Sequence, residues 1–521
     1  MRGYRILKSK NELDTLIKLK KQISETKIKA FPNKLLYNEN INELESSIKQ
    51  FLLLRLLQFD FNKKLLITIS KNYSSFYHPL PFEWRIVLEK NGFKANNFIN
   101  KLIWNFYIVA FFSYGLLNNL ERIFKTIKQI FVSTRILNIH NSIYFHQLTK
   151  NNIVFRNNSD NIISWFDSYN KDKSIKNYIH NLKNIEEFKI NNKEVNYIES
   201  VIPLPQNFIS FIKFLNWSIY SSLVSVFDFI NGRYFSFIMY NELSMSYLIR
   251  AAKDNRIPKK IMFHQTGYLF KPIWTYDAER KGSIVYLYFY ATGIKSPDFK
   301  NSNGIQGHFF KDMTWKNYLV WDIYQEKFIQ NITFFDSIIE VVGPIKFSSG
   351  LNPKINNKKS ISLFDIQPFR DSWFQISGNE TDYYKVDTAI KFIKDIVEIA
   401  NEYGFTVYHK RKRDITNTVL GYGTRHIKYI NFLKKISMKY DNFFSLHPET
   451  DAYAMIRKTE ITISMPFTST SIYAKHVNVP TFYYDPIDLV KKNDPAAHGI
   501  KTLTNSLELK DWFKKNFAKK T

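Results

Sequence analysis

The 521-residue chain contains no cysteine. That absence excludes disulfides, thiolate zinc sites and cysteine nucleophiles together, and makes a redox-indifferent intracellular protein the simplest expectation. Acidic residues are also scarce, 46 Asp and Glu against 74 Lys and Arg, which leaves a formal charge of +28. Such a charge attracts nucleic acid, an anionic membrane face or phosphorylated substrates. The excess of Lys, Asn and Ile equally fits an AT-rich coding bias, so charge alone names no partner. The start, MRGYRILKSKNELDTL, lacks the apolar core and small-residue cleavage site of a secretory signal. Long apolar runs are missing too. The longest, LIWNFYIVAFFSYGLL from Leu102 to Leu117, is interrupted by Asn105 and Ser113 and falls short of the roughly 20 residues a bilayer span needs. It reads either as a buried core helix or as a helix lying at an anionic membrane surface, with Lys101 before it and Arg122, Lys125 and Lys128 after it. No P-loop, HExxH or Asp-x-Asp occurs, the nearest to the last being Asp277-Ala278-Glu279. GYGTRH has two glycines of a dinucleotide fingerprint but His426 in place of the third. No motif requires a metal or a cofactor.

What is present is ample core material. Hydrophobic residues make up 45% and aromatics 17%, which excludes disorder, and the length calls for about two to four lobes. The first sixty residues carry apolar positions at helical steps, KLLITIS reads as a strand, and YHPLPFEW ends it. Beyond Asn/Lys-rich loops between Asn151 and Lys193 there is no repeat or low-complexity tract. From Tyr234 the pattern alternates: YFSFIMY as strand, ELSMSYLIRAAKDN as helix, KKIMFHQ and SIVYLYFYAT as strands. A Gly, Ser and Pro-rich connector places the main boundary near Gly350. A second unit then runs through SISLFDIQP, FTVYHKRK, NFFSLHP, EITISMP and PTFYYDP as strands, with helices between them. This alternation predicts an α/β protein of two Rossmann-like lobes facing a cleft. The expected divisions are a helical region over 1–130, an N-terminal lobe over 131–345 and a C-terminal lobe over 346–521.

In an open parallel sheet, ligands sit beyond the carboxyl ends of the strands. In the second unit those corners are Gln367-Pro368, then Lys410, Arg411, Lys412 and Arg413, then His447-Pro448, then Pro466 through Ser471, then Asp485-Pro486. The stretch MPFTSTSIYAK from Met465 to Lys475 stands out, because one hydroxyl suffices to cap a helix and four follow Pro466-Phe467. SLHPETDAY and MPFTSTSIY lie one strand-helix unit apart, so we expect their corners on adjacent strands about 4.8 Å apart. Two helix N-termini, with His447, Thr468, Ser469 and Thr470, would then converge on one phosphate. The plain alternatives are ordinary capping, a structural histidine and a solvated basic face at Lys410 to Arg413.

The segment SLHPETDAYAMIRKTEITISMPFTSTSIYAKHVNVPTFYYDP resembles bacterial polysaccharide-biosynthesis proteins named for a PFTS motif, here Pro466, Phe467, Thr468 and Ser469. It is also similar to the nucleotide-binding half of glycosyltransferases with the two-Rossmann GT-B fold, in particular sialyltransferases and Kdo transferases that use CMP-activated sugars. The resemblance implies that His447, Pro448, Thr468 and Ser469 hold CMP, and that Gln367 and Pro368 match a Gln-Pro pair of the Kdo enzymes. It is strongest from Ser445 to Pro486, while residues 1–350 match only in general character. What it implies is metal-independent transfer of a sugar from a nucleotide-activated donor to an acceptor glycan or lipid-linked oligosaccharide of a capsule or lipopolysaccharide. The expected place is the cytoplasm, peripherally at the inner membrane face. Catalysis would need a base or nucleophile from the N-terminal lobe, with Glu242, His264, Asp277 and Glu279 as candidates by position after strands. Glu242 may be read instead as favouring a helix N-terminus, and His264 as a core residue. Two further readings are a catalytically inactive lobe pair that binds glycans or scaffolds an assembly, and a nucleic-acid-binding protein. Against the last, the aromatics sit mostly inside apolar runs.

Overall fold

Leucines at helical spacing organise the start of the chain. The computed structural model describes residues 10–28, 35, 41–132, 138–149, 161–185, 188–264, 269–289, 291–292, 299–300, 310–333, 335–345, 350–355, 359–366, 368, 382–412 and 427–517. Helices α1 (Lys10–Glu25), α2 (Ile41–Leu56), α3 (Phe59–Ser70) and α4 (Phe82–Lys90) lead into the long α5 (Phe98–Val132). They close on a core that includes Leu16, Leu52, Phe61, Leu65, Trp84 and Ile108. KLLITIS, expected as a strand, is the second half of α3. Its Leu65 and Leu66 are fully buried against this core, so tertiary packing overrides the β preference of Ile67, Thr68 and Ile69.

An eight-stranded sheet follows. Its strands are β1 (Ser142–Phe145), β2 (Asn177–His180), β3 (Phe188–Ile190), β4 (Lys193–Tyr197), β5 (Lys260–His264), β6 (Ile284–Tyr288), β7 (Asn317–Val320) and β8 (Ile338–Val341). Between them run α6 (Ile162–Tyr169), α7 (Phe208–Ile230), α8 (Phe235–Ile238), α9 (Tyr240–Ala251), α10 (Trp274–Arg280) and α11 (Ile323–Ile332). The strand order is β3-β4-β2-β1-β5-β6-β7-β8, parallel throughout except for β3 against β4. YFSFIMY, expected as a strand, forms α8 and the start of α9. Phe235, Ser236, Phe237 and Ile238 are all buried, and an apolar run buried on every side carries no period by which to tell helix from strand.

The C-terminal lobe is a six-stranded parallel sheet of β9 (Ser360–Phe364), β10 (Thr406–Lys410), β11 (Phe443–Leu446), β12 (Ile461–Ser464), β13 (Thr481–Asp485) and β14 (Thr502–Thr504). Its helices are α12 (Val386–Glu402), α13 (Ile427–Lys439), α14 (Ala452–Lys458), α15 (Ser469–His476) and α16 (Asn505–Phe517). The central β9 and β12 are buried along their whole length, as strands covered by helices on both faces must be. Phe392, Ile396 and Phe513 fill one side of the sheet. On the other side, Met455, Ile472 and Tyr483 share one apolar cluster with Leu319 and Trp321 of the first sheet. The lobes are further joined by His498 and Asp322, 2.6 Å apart.

The helical region is fastened to the first lobe by polar contacts as well as apolar ones. Lys49 of α2 reaches Asp312 at 3.0 Å with both side chains buried, and Ser47 lies 3.0 Å from the Tyr276 hydroxyl. Breaking a buried pair leaves an uncompensated charge, so Asp312→Ala should cost about 3–5 kcal/mol, read as a lower thermal midpoint. The paired change Lys49→Met with Asp312→Leu should recover most of that loss. An unchanged midpoint for Asp312→Ala would show that the pair does not fasten the two regions.

Candidate active site

Within the second lobe the strands, counted in chain order, run 3-2-1-4-5-6 across the sheet. The chain therefore reverses direction between β9 and β12, and a crevice opens beyond their carboxyl ends. The PFTS corner lies there. Met465 N–H donates to the Phe364 carbonyl at 3.0 Å, which ties the loop after β12 to the end of β9. The hydroxyls of Ser464 and Thr470 are 2.9 Å apart, and those of Thr468 and Thr470 are 3.0 Å apart. Tyr483 donates to the Thr468 carbonyl at 3.2 Å and meets the Phe467 ring edge-on. Thr468 holds the N-cap position of α15 but makes no side-chain bond to the first-turn amides. The hydroxyls bond one another instead of capping the helix, so those amides face the crevice with the positive end of the helix dipole.

The neighbouring corner is built differently. At the start of α14 the Asp451 carboxylate accepts from the Tyr453 and Ala454 amides at 2.8 and 3.0 Å, so the helix carries its own anion. The corner also holds the interlobe connector: Leu351 donates to the Glu449 carbonyl and accepts from Asp451, both at 2.8 Å. A Cβ on Gly350 would lie 2.3 Å from the Glu449 oxygen, which is why glycine stands there. The expected adjacency of the two corners is corrected. β11 is the edge strand, with β10 and β9 between it and β12, a separation of three strand spacings or roughly 14 Å. His447, exposed beside Pro448, does not share one phosphate with Thr468 and Ser469.

The cations nearer the crevice follow β10, which pairs with β9 on the side away from β12. Burial lowers the Lys410 ammonium below its ordinary pKa, opposed by the charges of Asp451 and Asp365. Arg411 is half-buried, and its Nε has no hydrogen-bond partner among the described residues. Asp365, just after β9, is itself enclosed, accepting from the Tyr429 hydroxyl with His409 Nε2 at 3.4 Å. Pro368 is buried nearby in sequence, whereas Gln367, Arg413 and the GYGTRH segment lie outside the described residues.

Across the cleft, the first sheet reverses between β1 and β5. The same tripeptide occurs in sequence around both strand ends, Phe145-His146-Gln147 and Phe263-His264-Gln265. Burial holds the His264 imidazole below its ordinary pKa, against a hydrogen bond with the Gln147 backbone. Burial and then the charge of His264 push His146 down to about 3, and the Tyr144 hydroxyl lies 3.0 Å from His146 Nδ1. Both rings are therefore neutral near pH 7. His146 was not legible because SIYFHQ had not been read as a strand; the repeated Phe-His-Gln is the signal that finds it. Beside β5, the loop after β6 touches the PFTS corner: Thr292 N–H donates to Ser469 Oγ at 3.3 Å, and its hydroxyl is 3.1 Å away.

The other three acid candidates serve the fold. Glu242 accepts from the Ile273 amide at 3.0 Å, beside the start of α10. Asp277 is buried, takes the Ser246 hydroxyl, and lies 3.2 Å from both Arg250 and Arg280. Glu279 pairs at 2.7 Å with the fully buried Lys271. Each carboxylate is committed to a helix end or a cation of its own lobe, and of the four candidates only His264 ends a strand, at the carboxyl edge of the first sheet.

Two doubly wound lobes packed against one another place the protein in the GT-B fold class. Residues 217–513 match the family model described as polysaccharide biosynthesis PFTS motif protein. The chain belongs to that family. Among solved structures, it is similar to the trehalose-6-phosphate synthase from Burkholderia multivorans, with TM-score 0.39 and 7% identity over 73% of this chain and 91% of that one. It is similar as well to the E. coli trehalose-6-phosphate protein bound with UDP-2-fluoro glucose, with TM-score 0.38 and 9% identity over the same shares. TarM aligns with TM-score 0.29 and 12% identity over 53% of this chain and 51% of its own. Comparison with curated proteins gives no match.

Glu242 offers a test of these structural roles. Burial pushes its carboxyl up to about 7, so the folded state holds this proton more tightly than the unfolded chain does. Stability from this group is full below the unfolded carboxyl range and is lost as pH rises through about 7. Glu242→Gln should match the parent in thermal midpoint at acid pH and exceed it increasingly towards neutrality. Parallel pH profiles for the two proteins would contradict the assignment.

Proposed function

We propose that the protein is a glycosyltransferase of polysaccharide biosynthesis that moves a sugar from a nucleotide-activated donor to an acceptor glycan or lipid-linked oligosaccharide. The observation that carries the reading is the position of the PFTS corner, at the switch point of the second sheet with the amides of α15 uncapped. The phosphate of the donor sits on those amides, and Lys410 with Arg411 supplies further positive charge from the far side of β9. His264 is the base. It takes the proton of the acceptor hydroxyl as that oxygen attacks the anomeric carbon and the bond to the nucleotide phosphate breaks. The charge appearing on the leaving phosphate falls on the helix dipole, where fixed N–H groups stabilise it without reorganisation. The Gln147 backbone, hydrogen-bonded to His264, positions it.

The resemblance to CMP-sugar enzymes keeps CMP as the donor nucleotide in this proposal through Thr468 and Ser469, without His447. Peripheral contact with an anionic membrane at its cytoplasmic face belongs to the same reading and brings the enzyme to a lipid-linked acceptor.

Thermal unfolding in the presence of CTP, CMP, UDP and GDP separates the possibilities. One nucleotide should protect, by about 2.7 kcal/mol when present at a hundred times its dissociation constant. Lys410→Met should weaken that nucleotide by roughly 10- to 100-fold, the loss of one charge-assisted hydrogen bond. Changing Thr468 and Ser469 together to Ala should remove most of the protection. His264→Gln should keep the protection while lowering transfer by about 10²–10⁴-fold. Indifference to every nucleotide would overturn the proposal, and protection without donor cleavage would leave a lobe pair that binds but does not transfer.

A further inference from the structure

Helices α5 and α7 present apolar side chains to the outside along their whole length. On α5, Phe106 and Phe131 are 75% and 83% exposed, with Leu102, Leu117 and Phe124 along the same ridge. On α7, Ile230 is 76% exposed, in line with Ile219, Leu223 and Phe227. Both helices cover α8 and α9 and touch each other, so their outer sides form one surface, roughly 50 Å long on α5 at 1.5 Å per residue. α7 is turned inside out relative to a helix in water. Its buried stripe is Phe214 followed by Ser218, Ser221 and Ser225, with Ser218 and Ser221 returning their hydroxyls to the carbonyls of Phe214 and Ser218. Lys213 is its one exposed charge. Soluble surfaces rarely keep so large a continuous apolar area without a partner.

Beside this surface lies a cavity of about 320 Å³ lined by Arg122, Lys125, Arg256, Glu121 and Glu199 among others. Its α5 residues Asn118, Arg122, Lys125 and Gln129 form the next stripe round the helix from Leu117, Phe124 and Phe131. Lys125 is paired with both glutamates, at 2.7 and 2.8 Å, and Arg122 with neutral Asn241 and Ser244. Arg256 Nη1 is buried with no hydrogen-bond partner among the described residues. Arg122 lies under the charges of Glu242 and Glu121, whereas no carboxylate among the described residues acts on Arg256, whose guanidinium pKa is lowered by burial alone. Neither helix is long and apolar enough to cross a membrane.

We propose that the α5–α7 face docks on an anionic phospholipid bilayer, with the apolar side chains among the acyl chains and a headgroup phosphate in the Arg122–Arg256 cavity. The combination is that of an interfacial helix pair with an adjacent phosphate seat. A second copy fits less well, because a two-fold pairing of this face would bring the exposed Lys101, Lys128 and Lys213 of one copy to a face carrying the same three cations. The proposal deepens the membrane contact named with the transferase reading, and vesicle binding is read without turnover, so either can fail alone.

Flotation of the full chain with vesicles of phosphatidylcholine, with and without phosphatidylglycerol, decides it. The protein should float with the phosphatidylglycerol vesicles, less so as salt is raised. The exposed pair Leu223→Glu with Phe227→Glu should lower bound protein roughly tenfold or more, a loss of 1.4 kcal/mol or above, with an unchanged thermal midpoint. Arg256→Gln should reduce the preference for phosphatidylglycerol over phosphatidylcholine. Failure to float with either vesicle would overturn the proposal. So would flotation unaffected by the glutamates, an Arg256→Gln protein with full preference, or a dimer in light scattering that the glutamates convert to monomer.

Discussion

The constraint on which the rest depends is the return of the chain from the edge of the second sheet to its centre. After β11 the chain crosses behind β10 and β9 and enters β12, and a right-handed crossover of this kind leaves a helix starting at the place where strand order reverses. That helix, α15, begins with its first-turn amides free of any side-chain cap, while α14, one unit earlier, begins on its own aspartate. Two helix starts of similar sequence character therefore have opposite electrostatic meaning. One is already neutralised and holds a connector; the other faces a crevice with its partial charge uncompensated.

The second lobe was legible in outline because its strands are short and its central ones, SISLF and ITIS, are fully buried between amphipathic helices, and both periods show plainly there. Strand order was not legible. Period and propensity identify elements but not their neighbours, and His447 was placed beside Thr468 only by assuming that consecutive strands pair. The first lobe hid more. Strands such as NYIH and KEVNY carry polar residues and no clean alternation, and SIYF is only four residues long. Of the four catalytic candidates, Asp277 and Glu279 were chosen by position after a strand, and they are occupied by Arg280 and Lys271 from close by and by Arg250 from the preceding helix. His264 alone combines a strand end with a place on the open edge.

The lobes are held by contacts of two kinds. The shared apolar cluster of Trp321 and Tyr483 reaches the motif through Phe467, and the His498–Asp322 pair adds a polar tie between the lobes. The contact between Thr292 and Ser469 lies on the motif itself, so the same residue that belongs to the anion-facing corner also touches the opposite lobe. Ligand entry and lobe approach are thereby linked through one hydroxyl. The outward apolar faces of α5 and α7 lie on the side of the first lobe, and under the proposed bilayer docking an acceptor carried in a lipid layer would meet the donor from the opposite wall of the cleft.

The central claim is that the amides at the start of α15 receive the donor phosphate. The most direct measurement is a crystal structure of the protein with its protecting nucleotide bound. The account predicts a phosphate oxygen within about 3 Å of the first-turn amides, between the ends of β9 and β12. A phosphate resting at the His447 corner, or anywhere that leaves those amides without a ligand, would contradict it.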